Sequence, residues 1–310
     1  YVGDKARVYV AEGCHLFKNA VSGLSWEDDR LAEAITVAEQ SDVVVLCLGL
    51  DSTIEGEQGD TGNAFAGGDK VSLNLIGKQQ NLLEKIIEVG KPTILVLSTG
   101  SAMAINFAQE HCNAIMQTWY PGAHGGKALA QLLFGEYSPS GKLPITFYKT
   151  TEELPDFKDY SMKGRTYRYM TGEALYPFGY GLNYAKIKVQ DATLSRNDKD
   201  GKMGYTVKAT VINESDVASY DTVQVYIKDM ESVFAVPNFS LCAFKTVYLE
   251  GKSSIEVELN IDEMALTIVD EEGKRFIDSK YFEVYIGTCA PDERSCILAE
   301  QMPIAKEIRL

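Results

Sequence analysis

The run DVVVLCLGL at residues 42–50 limits the folds open to this chain more than any other stretch. An apolar segment without polar alternation predicts a strand of a parallel sheet that is covered on both faces. Amphipathic helices are predicted on either side of it, at residues 26–40 and 77–90, and a second buried strand is predicted at 92–99. This alternation of strands and helices is typical of βαβ units.

The same alternation extends over the first 150 residues. Strands are also predicted at residues 6–10 and 113–120, and a helix is predicted at 125–135. We therefore predict that residues 1–150 form an α/β sandwich, flavodoxin-like, with a largely parallel sheet and helices on both faces.

From about residue 184 the pattern changes to alternating apolar and polar residues separated by turn signals. The stretches with this alternation are 204–213, 221–229, 242–250, 253–261 and 280–288. They predict an antiparallel, immunoglobulin-like β-sandwich over residues 184–310. Residues 151–183 are rich in tyrosine and lack periodicity, so we interpret them as an ordered linker whose rings pack against a neighbouring surface.

Composition excludes several classes of protein. A net charge of −14 argues against nucleic-acid binding, because no basic patch is available to collect phosphates. The longest apolar run is far below membrane-spanning length, and the first residues lack the pattern of a signal peptide. Neither a membrane partner nor a nucleic-acid partner is expected.

The six cysteines contain no C-x-x-C pair, which argues against a zinc or redox site. Cys47 and Cys242 lie in apolar contexts and are interpreted as small buried thiols. Cys289 and Cys296 could close a disulfide, but free thiols in a reducing compartment are the favoured interpretation. We therefore expect a cytoplasmic location, with secretion as the alternative.

The loop at residues 51–70 leaves the carboxyl end of a buried strand, where ligands bind in open α/β sheets. It carries the carboxylates Glu55, Glu57, Asp60 and Asp69, together with five glycines. Carboxyl groups suit acid–base catalysis or hard cations, but the spacing does not fit a calcium loop. A carboxylic acid that donates a proton near neutral pH needs desolvation, so such a loop would have to close against a second body.

Other candidate sites are weaker. Both nucleotide-binding glycine signatures are absent, and PGAHGG at residues 121–126 is interpreted as a tight strand-to-helix turn. Ser98 and Thr99 are interpreted as hydroxyl caps of a helix start. Trp119 and Tyr120 could face a substrate, but we interpret them as part of the core.

Several stretches of the chain resemble glycoside hydrolase family 3. They are LCLGLDSTIEGEQGD, KPTILVLSTGSAMAI, QTWYPGAHGGKALAQLLFGEYSPSGKLPITF and GRTYRYMTGEALYPFGYGLNY. These resemble the family's C-terminal α/β sandwich and the linker after it. The run from VQVYIKD to FEVYIGT resembles the fibronectin type III-like domain that ends many members.

The resemblance implies roles for particular residues. In the family a (β/α)8 barrel carries the nucleophilic aspartate, and a loop of the α/β sandwich donates the acid/base glutamate. Glu57 is the best match for that glutamate and Glu55 is the runner-up. Asp60, Asp69 and Lys70 would support the loop. The barrel itself is not among these residues, and His124 stands where an acidic residue is common.

The implied function is that of a retaining β-glycosidase, most closely a β-glucosidase, acting on oligosaccharides or aryl β-glycosides without a metal or cofactor. Activity as a β-xylosidase or arabinosidase is the alternative on the same scaffold. A non-catalytic carbohydrate-binding or assembly module is the alternative from another class, and a nucleotide-binding module is a remote third. The expected partner is the barrel of the same enzyme, and a homo-oligomer is compatible with the resemblance.

Overall fold

The computed structural model describes residues 1–18, 28–57 and 70–310. The chain forms two compact units. Unit 1 contains Tyr1–Leu133 and Tyr148–Glu153, and unit 2 contains Phe134–Phe147 and Leu154–Leu310. The domain boundaries inferred from the sequence, after residues 150 and 183, stay a prediction.

Unit 1 has the predicted α/β alternation. Its elements follow the order α1 (Asp29–Glu39), β1 (Val44–Gly49), α2 (Gln79–Glu88), β2 (Thr93–Ser98), α3 (Asn106–His111), β3 (Ala114–Gln117) and α4 (Gly125–Leu133). The three strands pair in parallel in the order β1-β2-β3. This arrangement confirms the α/β class of the first part of the chain.

The helix α2 forms because its apolar residues recur at helical spacing. Leu82, Leu83 and Ile86 are all buried, and α2 packs against α1 and β1. The helix ends where Gly90 adopts a left-handed backbone with φ 77° and its N–H bonds to the carbonyl of Ile87.

Strand position decides how deeply each strand is buried. β2 lies in the centre of the sheet, and its residues Leu95, Val96 and Leu97 are all buried. β1 lies at the edge of the described sheet, so Leu46 is buried but Val45 is 45% exposed. Cys47 is exposed as well, and its interpretation as a buried thiol is therefore wrong.

The strand predicted at residues 6–10 does not form. These residues have no regular secondary structure, and Val8 and Val10 are exposed. An apolar, β-branched segment becomes a strand only where a neighbour supplies hydrogen-bond partners, and no described strand pairs with this segment.

Unit 2 is built mainly from antiparallel strands. Its elements are α5 (Thr166–Tyr169), β4 (Ile187–Arg196), β5 (Gly204–Asn213), β6 (Ser219–Asp229), β7 (Ser240–Leu249), β8 (Ser254–Asp262), β9 (Ile268–Val269), β10 (Arg275–Phe276), β11 (Tyr281–Gly287), α6 (Glu293–Ala299) and β12 (Ile304–Arg309). The sheet β12-β11-β6-β7 and the sheet β4-β5-β8 contribute buried residues to one common core. The predicted β-sandwich is confirmed.

The helix α6 is a feature that the sequence analysis missed. It begins after Asp292, whose side chain accepts a hydrogen bond from the Ser295 N–H at 2.9 Å. Such an N-cap is a recognisable start signal, but the seven-residue helix is too short to show a clear apolar period.

Aromatic residues of the tyrosine-rich segment pack within unit 2. Tyr167 stacks on Phe178 with ring centroids 4.3 Å apart, and it also contacts Tyr226 and Phe239. Tyr226 is completely buried, so these rings form a second core cluster beside the sandwich.

All six cysteines are free thiols. Burial raises the pKa of Cys289 to about 12, which keeps this thiol protonated and unreactive at neutral pH. Within residues 1–18, 28–57 and 70–310, no helix is long and apolar enough to cross a bilayer.

Candidate active site

The candidate site lies at the carboxyl ends of the three parallel strands of unit 1. The register aligns Gly49 of β1 with Ser98 of β2, and Leu97 of β2 with Gln117 of β3. The segments that leave these strands therefore begin at one edge of the sheet, where ligands bind in open α/β folds.

Gly49 and Gln79 fix the end of β1. Gly49 has φ 136°, and a Cβ atom there would lie 2.0 Å from the carbonyl oxygen of Ser98, so only glycine fits. The buried Gln79 amide donates to the Gly49 carbonyl at 2.8 Å and accepts from the Gly49 N–H at 2.7 Å. The loop that follows thus starts from a rigid point.

The first residues of the loop form a tight turn around Asp51. The Asp51 carboxylate accepts hydrogen bonds from the N–H and hydroxyl of Thr53, the former at 2.8 Å. The N–H of Ile54 donates to the Asp51 carbonyl at 3.0 Å, and the Ile54 side chain is completely buried. The turn and the buried side chain together hold the loop against the sheet.

Glu55 is held by three hydrogen-bond donors. The Gly100 N–H donates to Oε2 at 2.8 Å, the Tyr120 hydroxyl donates to the same oxygen, and the Ser101 hydroxyl donates to Oε1. A Cβ atom at residue 100 would lie 2.7 Å from Glu55 Oε2 and 2.8 Å from Tyr120 Cε2. Glycine at this position is thus what allows the carboxylate and the phenol ring to approach so closely. We call these four residues the Glu55 socket.

The socket favours an ionised carboxylate. Partial burial raises the pKa of Glu55. The hydrogen bonds from Ser101, Tyr120 and Gly100 and the charge of Lys70 together lower the pKa by more, so the net pKa lies below its usual value. In the same contact, burial and the neighbouring Glu55 carboxylate raise the pKa of Tyr120 well above its usual value. Glu55 therefore accepts hydrogen bonds and does not release a proton near neutral pH.

Lys70 holds the other end of the loop. Its Nζ donates to the Ala102 carbonyl at 2.8 Å and lies 3.1 Å from the sulfur of Met103. Burial lowers the pKa of Lys70 to about 8, although attraction to Glu55 opposes this shift. Both described ends of the loop are thus attached to residues 100–103. The role of Lys70 in loop support stays a prediction.

Glu57 is exposed and lies two residues beyond Glu55. Asp60 and Asp69, the other predicted supports of the loop, lie outside the described residues. The structure thus brings Glu55 and Lys70 together around residues 100–103 and leaves Glu57 at the surface of this edge. Within the described ranges, no group of three or more His, Cys, Asp or Glu residues could hold a metal ion.

The interpretations of three residues at the site are wrong. Tyr120 is 45% exposed and bonds to Glu55, so its interpretation as a core residue is wrong. The Ser98 hydroxyl bonds to that of Thr118 at 2.8 Å, and the Thr99 hydroxyl donates to the Ser101 carbonyl at 2.7 Å, so neither caps a helix. The bond between Ser98 and Thr118 links the ends of β2 and β3, and the bond from Thr99 shapes the turn that carries Ser101.

Comparison with known proteins defines the class to which this fold and site belong. Residues 4–184 match the glycosyl hydrolase family 3 C-terminal domain, and residues 221–290 match a fibronectin type III-like domain. The chain belongs to glycoside hydrolase family 3, and it comprises the C-terminal α/β domain and the fibronectin type III-like domain of that family.

Individual relatives carry names of different glycosidases. A xylan 1,4-beta-xylosidase from Xylanibacter ruminicola is 38% identical over 264 residues, covering 84% of this chain and 30% of the relative. An exo-alpha-(1->6)-L-arabinopyranosidase from Bifidobacterium breve is 31% identical, covering 89% of this chain and 36% of the relative. The chain thus spans about a third of the length of these curated relatives.

A solved structure shares the fold over nearly the whole chain. The family 3 beta-glucosidase from Bifidobacterium adolescentis matches with a TM-score of 0.80 and 28% sequence identity, covering 97% of this chain and 43% of that one. The shared fold therefore includes both the α/β part and the β-sandwich part.

Proposed function

We propose that this chain supplies the general acid/base of a retaining β-glycosidase and that Glu57 is the residue that carries the proton. The observation that supports this assignment is the contrast between two neighbouring carboxylates at the ligand-binding edge. Glu55 is occupied by three donors, whereas Glu57 is exposed and available to a substrate.

The acid/base of a retaining glycosidase needs a pKa that allows it to donate a proton near neutral pH. The lowered pKa of Glu55 is the opposite of this requirement. An exposed carboxyl group meets this requirement only where a second body covers the edge, removes water and brings a like charge near it. We propose that this body is a (β/α)8 barrel of the complete enzyme.

The proposed reaction proceeds in two steps. In retaining enzymes the two carboxyl groups lie about 5–5.5 Å apart, and one of them attacks the anomeric carbon while the other protonates the departing glycosidic oxygen. We assign the attack to an aspartate of the barrel and the protonation to Glu57. In the second step the Glu57 carboxylate takes a proton from a water molecule while the water oxygen attacks the anomeric carbon. The bond between that carbon and the aspartate breaks, which releases the sugar and restores the aspartate carboxylate.

The substrate we propose is a terminal β-D-glucoside. The match with a beta-glucosidase over 97% of the chain supports this choice. The 38% identity to a protein named xylan 1,4-beta-xylosidase favours β-xyloside as the second candidate. Rates with nitrophenyl β-glucoside, β-xyloside and α-arabinoside, measured on the complete enzyme, decide between them, and a preference for either pentoside overturns the glucoside.

The test of the acid/base assignment compares Glu57→Gln with Glu55→Gln in the complete enzyme. The side-chain amide that Glu57→Gln introduces cannot transfer a proton, so we expect kcat/KM for glycosides with poor leaving groups to fall by about 10²–10⁴-fold. Substrates with good leaving groups, which need little protonation, should be affected far less in the glycosylation step.

Glu55→Gln is the matched control. A glutamine carbonyl can still accept from Gly100 and Tyr120, and its amide can donate to the Ser101 hydroxyl, so the socket can persist without the charge. We expect this variant to stay within about tenfold of wild type, since only an orienting contact is altered. If Glu55→Gln shows the selective loss and Glu57→Gln does not, the acid/base is Glu55. If neither variant shows a loss, the chain acts as a non-catalytic module.

A further inference from the structure

The Glu55 socket connects residues that are far apart in sequence. Tyr120 follows β3 and lies 65 residues after Glu55, while Gly100 and Ser101 follow β2. The carboxylate therefore ties the start of the loop to the ends of two neighbouring strands at once. A side chain that served only to keep the loop soluble would need none of these contacts.

The socket lies directly before Glu57. A chain advances at most about 3.3–3.6 Å per residue, so the Cα atom of Glu57 cannot lie more than about 7 Å from that of Glu55. If the Glu55 carboxylate is released, Ile54 is the last buried side chain, and the backbone before Glu57 is then restrained by the weaker Glu55 N–H bond to the Asp51 carbonyl at 3.2 Å. The socket thus removes much of the positional freedom of Glu57.

We propose that Tyr120 is a positioning residue for the acid/base, acting through Glu55. This inference rests on the proposed function of Glu57. The Tyr120 hydroxyl and the Gly100 N–H share one oxygen of the carboxylate, and Ser101 holds the other, so the plane of the carboxylate is fixed by donors on both sides. Loss of the hydroxyl leaves two donors in place, so the socket loosens without disappearing.

The backbone before Tyr120 supports this directional role. Trp119 adopts a left-handed conformation with φ 54°, which a bulky residue rarely takes, and it turns the chain just after β3. The ring of Tyr120 then lies beside Gly100, where an added Cβ atom would be 2.8 Å from the ring. The backbone conformation of Trp119 and the absence of a side chain at Gly100 thus both contribute to the position of the Tyr120 ring.

The first measurement is amide hydrogen exchange in the 310-residue chain. We expect Tyr120→Phe to accelerate exchange in a peptide that covers residues 50–57, because the anchor of that segment is weakened. Tyr9→Phe is the control, since Tyr9 is an exposed tyrosine of the same unit outside the socket. Unchanged exchange in Tyr120→Phe overturns the proposal.

The second measurement is the leaving-group dependence of kcat/KM in the complete enzyme. We expect Tyr120→Phe to lower kcat/KM about tenfold for substrates with poor leaving groups and to change it little for those with good leaving groups, because a misplaced acid weakens only the step that needs a proton. Tyr9→Phe should match wild type throughout. An equal loss on all substrates, or no loss at all, contradicts a positioning role.

The two proposals fail in different ways. If Glu57→Gln retains normal leaving-group dependence while Tyr120→Phe still accelerates exchange at residues 50–57, the acid/base assignment is wrong and Tyr120 anchors the loop for another purpose. If Glu57→Gln shows the selective loss and Tyr120→Phe shows neither change, the assignment stands and the positioning role of Tyr120 is wrong.

Discussion

The α/β unit and the β-sandwich unit each hold a carboxylate in a network of hydrogen bonds, yet the two networks differ in kind. Asp221 of the β-sandwich unit is almost fully buried and pairs with Lys142 at 2.9 Å. It also accepts from the Thr222 N–H at 2.7 Å and the Asn183 amide at 2.9 Å. Glu55 of the α/β unit is only partly buried, and its three donors are neutral.

This difference separates a contact that stabilises a whole unit from one that positions an exposed segment. A buried charge without its partner is strongly destabilising, so removal of Asp221 acts on the whole unit. Glu55 is near water, and removal of one donor acts mainly on the segment that follows it. Substitutions in the two networks should therefore differ in how much of the molecule they affect.

The largest stability effect is expected for Asp221→Ala. Lys142, whose side chain is 14% exposed, would lose its carboxylate partner and keep the hydrogen bond to the Gly181 carbonyl at 2.7 Å, so we expect unit 2 to lose about 3 kcal/mol of its free energy of unfolding. Urea denaturation followed by far-UV circular dichroism measures this loss. Both tryptophans of the chain, Trp26 and Trp119, lie in the sequence of unit 1, so tryptophan fluorescence separately reports that the other unit is unaffected.

An exposed ion pair in the same unit is the control for Asp221→Ala. Lys188 and Glu214 lie 2.6 Å apart with side chains 43% and 47% exposed. Because water screens such a pair, Glu214→Ala should leave the midpoint of unit 2 nearly unchanged. Equal effects of the two substitutions would erase the distinction between the buried and the exposed network.

A smaller effect is expected for Gly100→Ala. The added methyl group would meet Glu55 Oε2 and the Tyr120 ring at distances too short for contact, so the socket must open. We expect unit 1 to lose about 1–3 kcal/mol, as overpacking typically costs, measured by tryptophan fluorescence in urea. The variant should also reproduce the leaving-group dependence of Tyr120→Phe. Wild-type behaviour in both assays would mean that the close approach at residue 100 has no role.

The smallest effect is a pH dependence that Lys70 gives to unit 1. Burial lowers the pKa of Lys70 in the folded chain to about 8, below its ordinary value of 10.5, so between these values the folded state binds fewer protons than the unfolded state. Stability therefore rises with pH in this window, by about 1 kcal/mol between pH 8 and pH 9. Lys70→Met should remove this increment relative to wild type. An increment that persists in Lys70→Met must come from other groups.

The sequence predicted elements where local pattern decides the structure. α2 and β2 lie where periodicity and apolar content indicated, because helix spacing and central-strand burial are local properties. The strand predicted at residues 6–10 failed because strand formation depends on a neighbour that the pattern cannot reveal. Burial of Cys47 failed for a related reason, since an edge strand and a central strand have similar sequences.

In the candidate site, too, the features set by local sequence were predicted and those set by contacts between distant residues were not. The motif containing Glu55 and Glu57 was found from its sequence, and its position after β1 followed from strand order. The socket could not be found in this way, because the contact between Glu55 and Tyr120 joins residues 65 positions apart and depends on the register of three strands. A tyrosine at the end of an apolar strand looks the same whether it enters the core or turns to a carboxylate.

The separate attachment of Glu55 and Lys70 to residues 100–103 has a consequence for substitutions in this part of unit 1. Glu55 bonds to Gly100 and Ser101, whereas Lys70 bonds to the Ala102 carbonyl, so a substitution that breaks one attachment leaves the other in place. The four residues 100–103 are therefore a shared foundation, and a change that displaces their backbone would loosen both attachments at once.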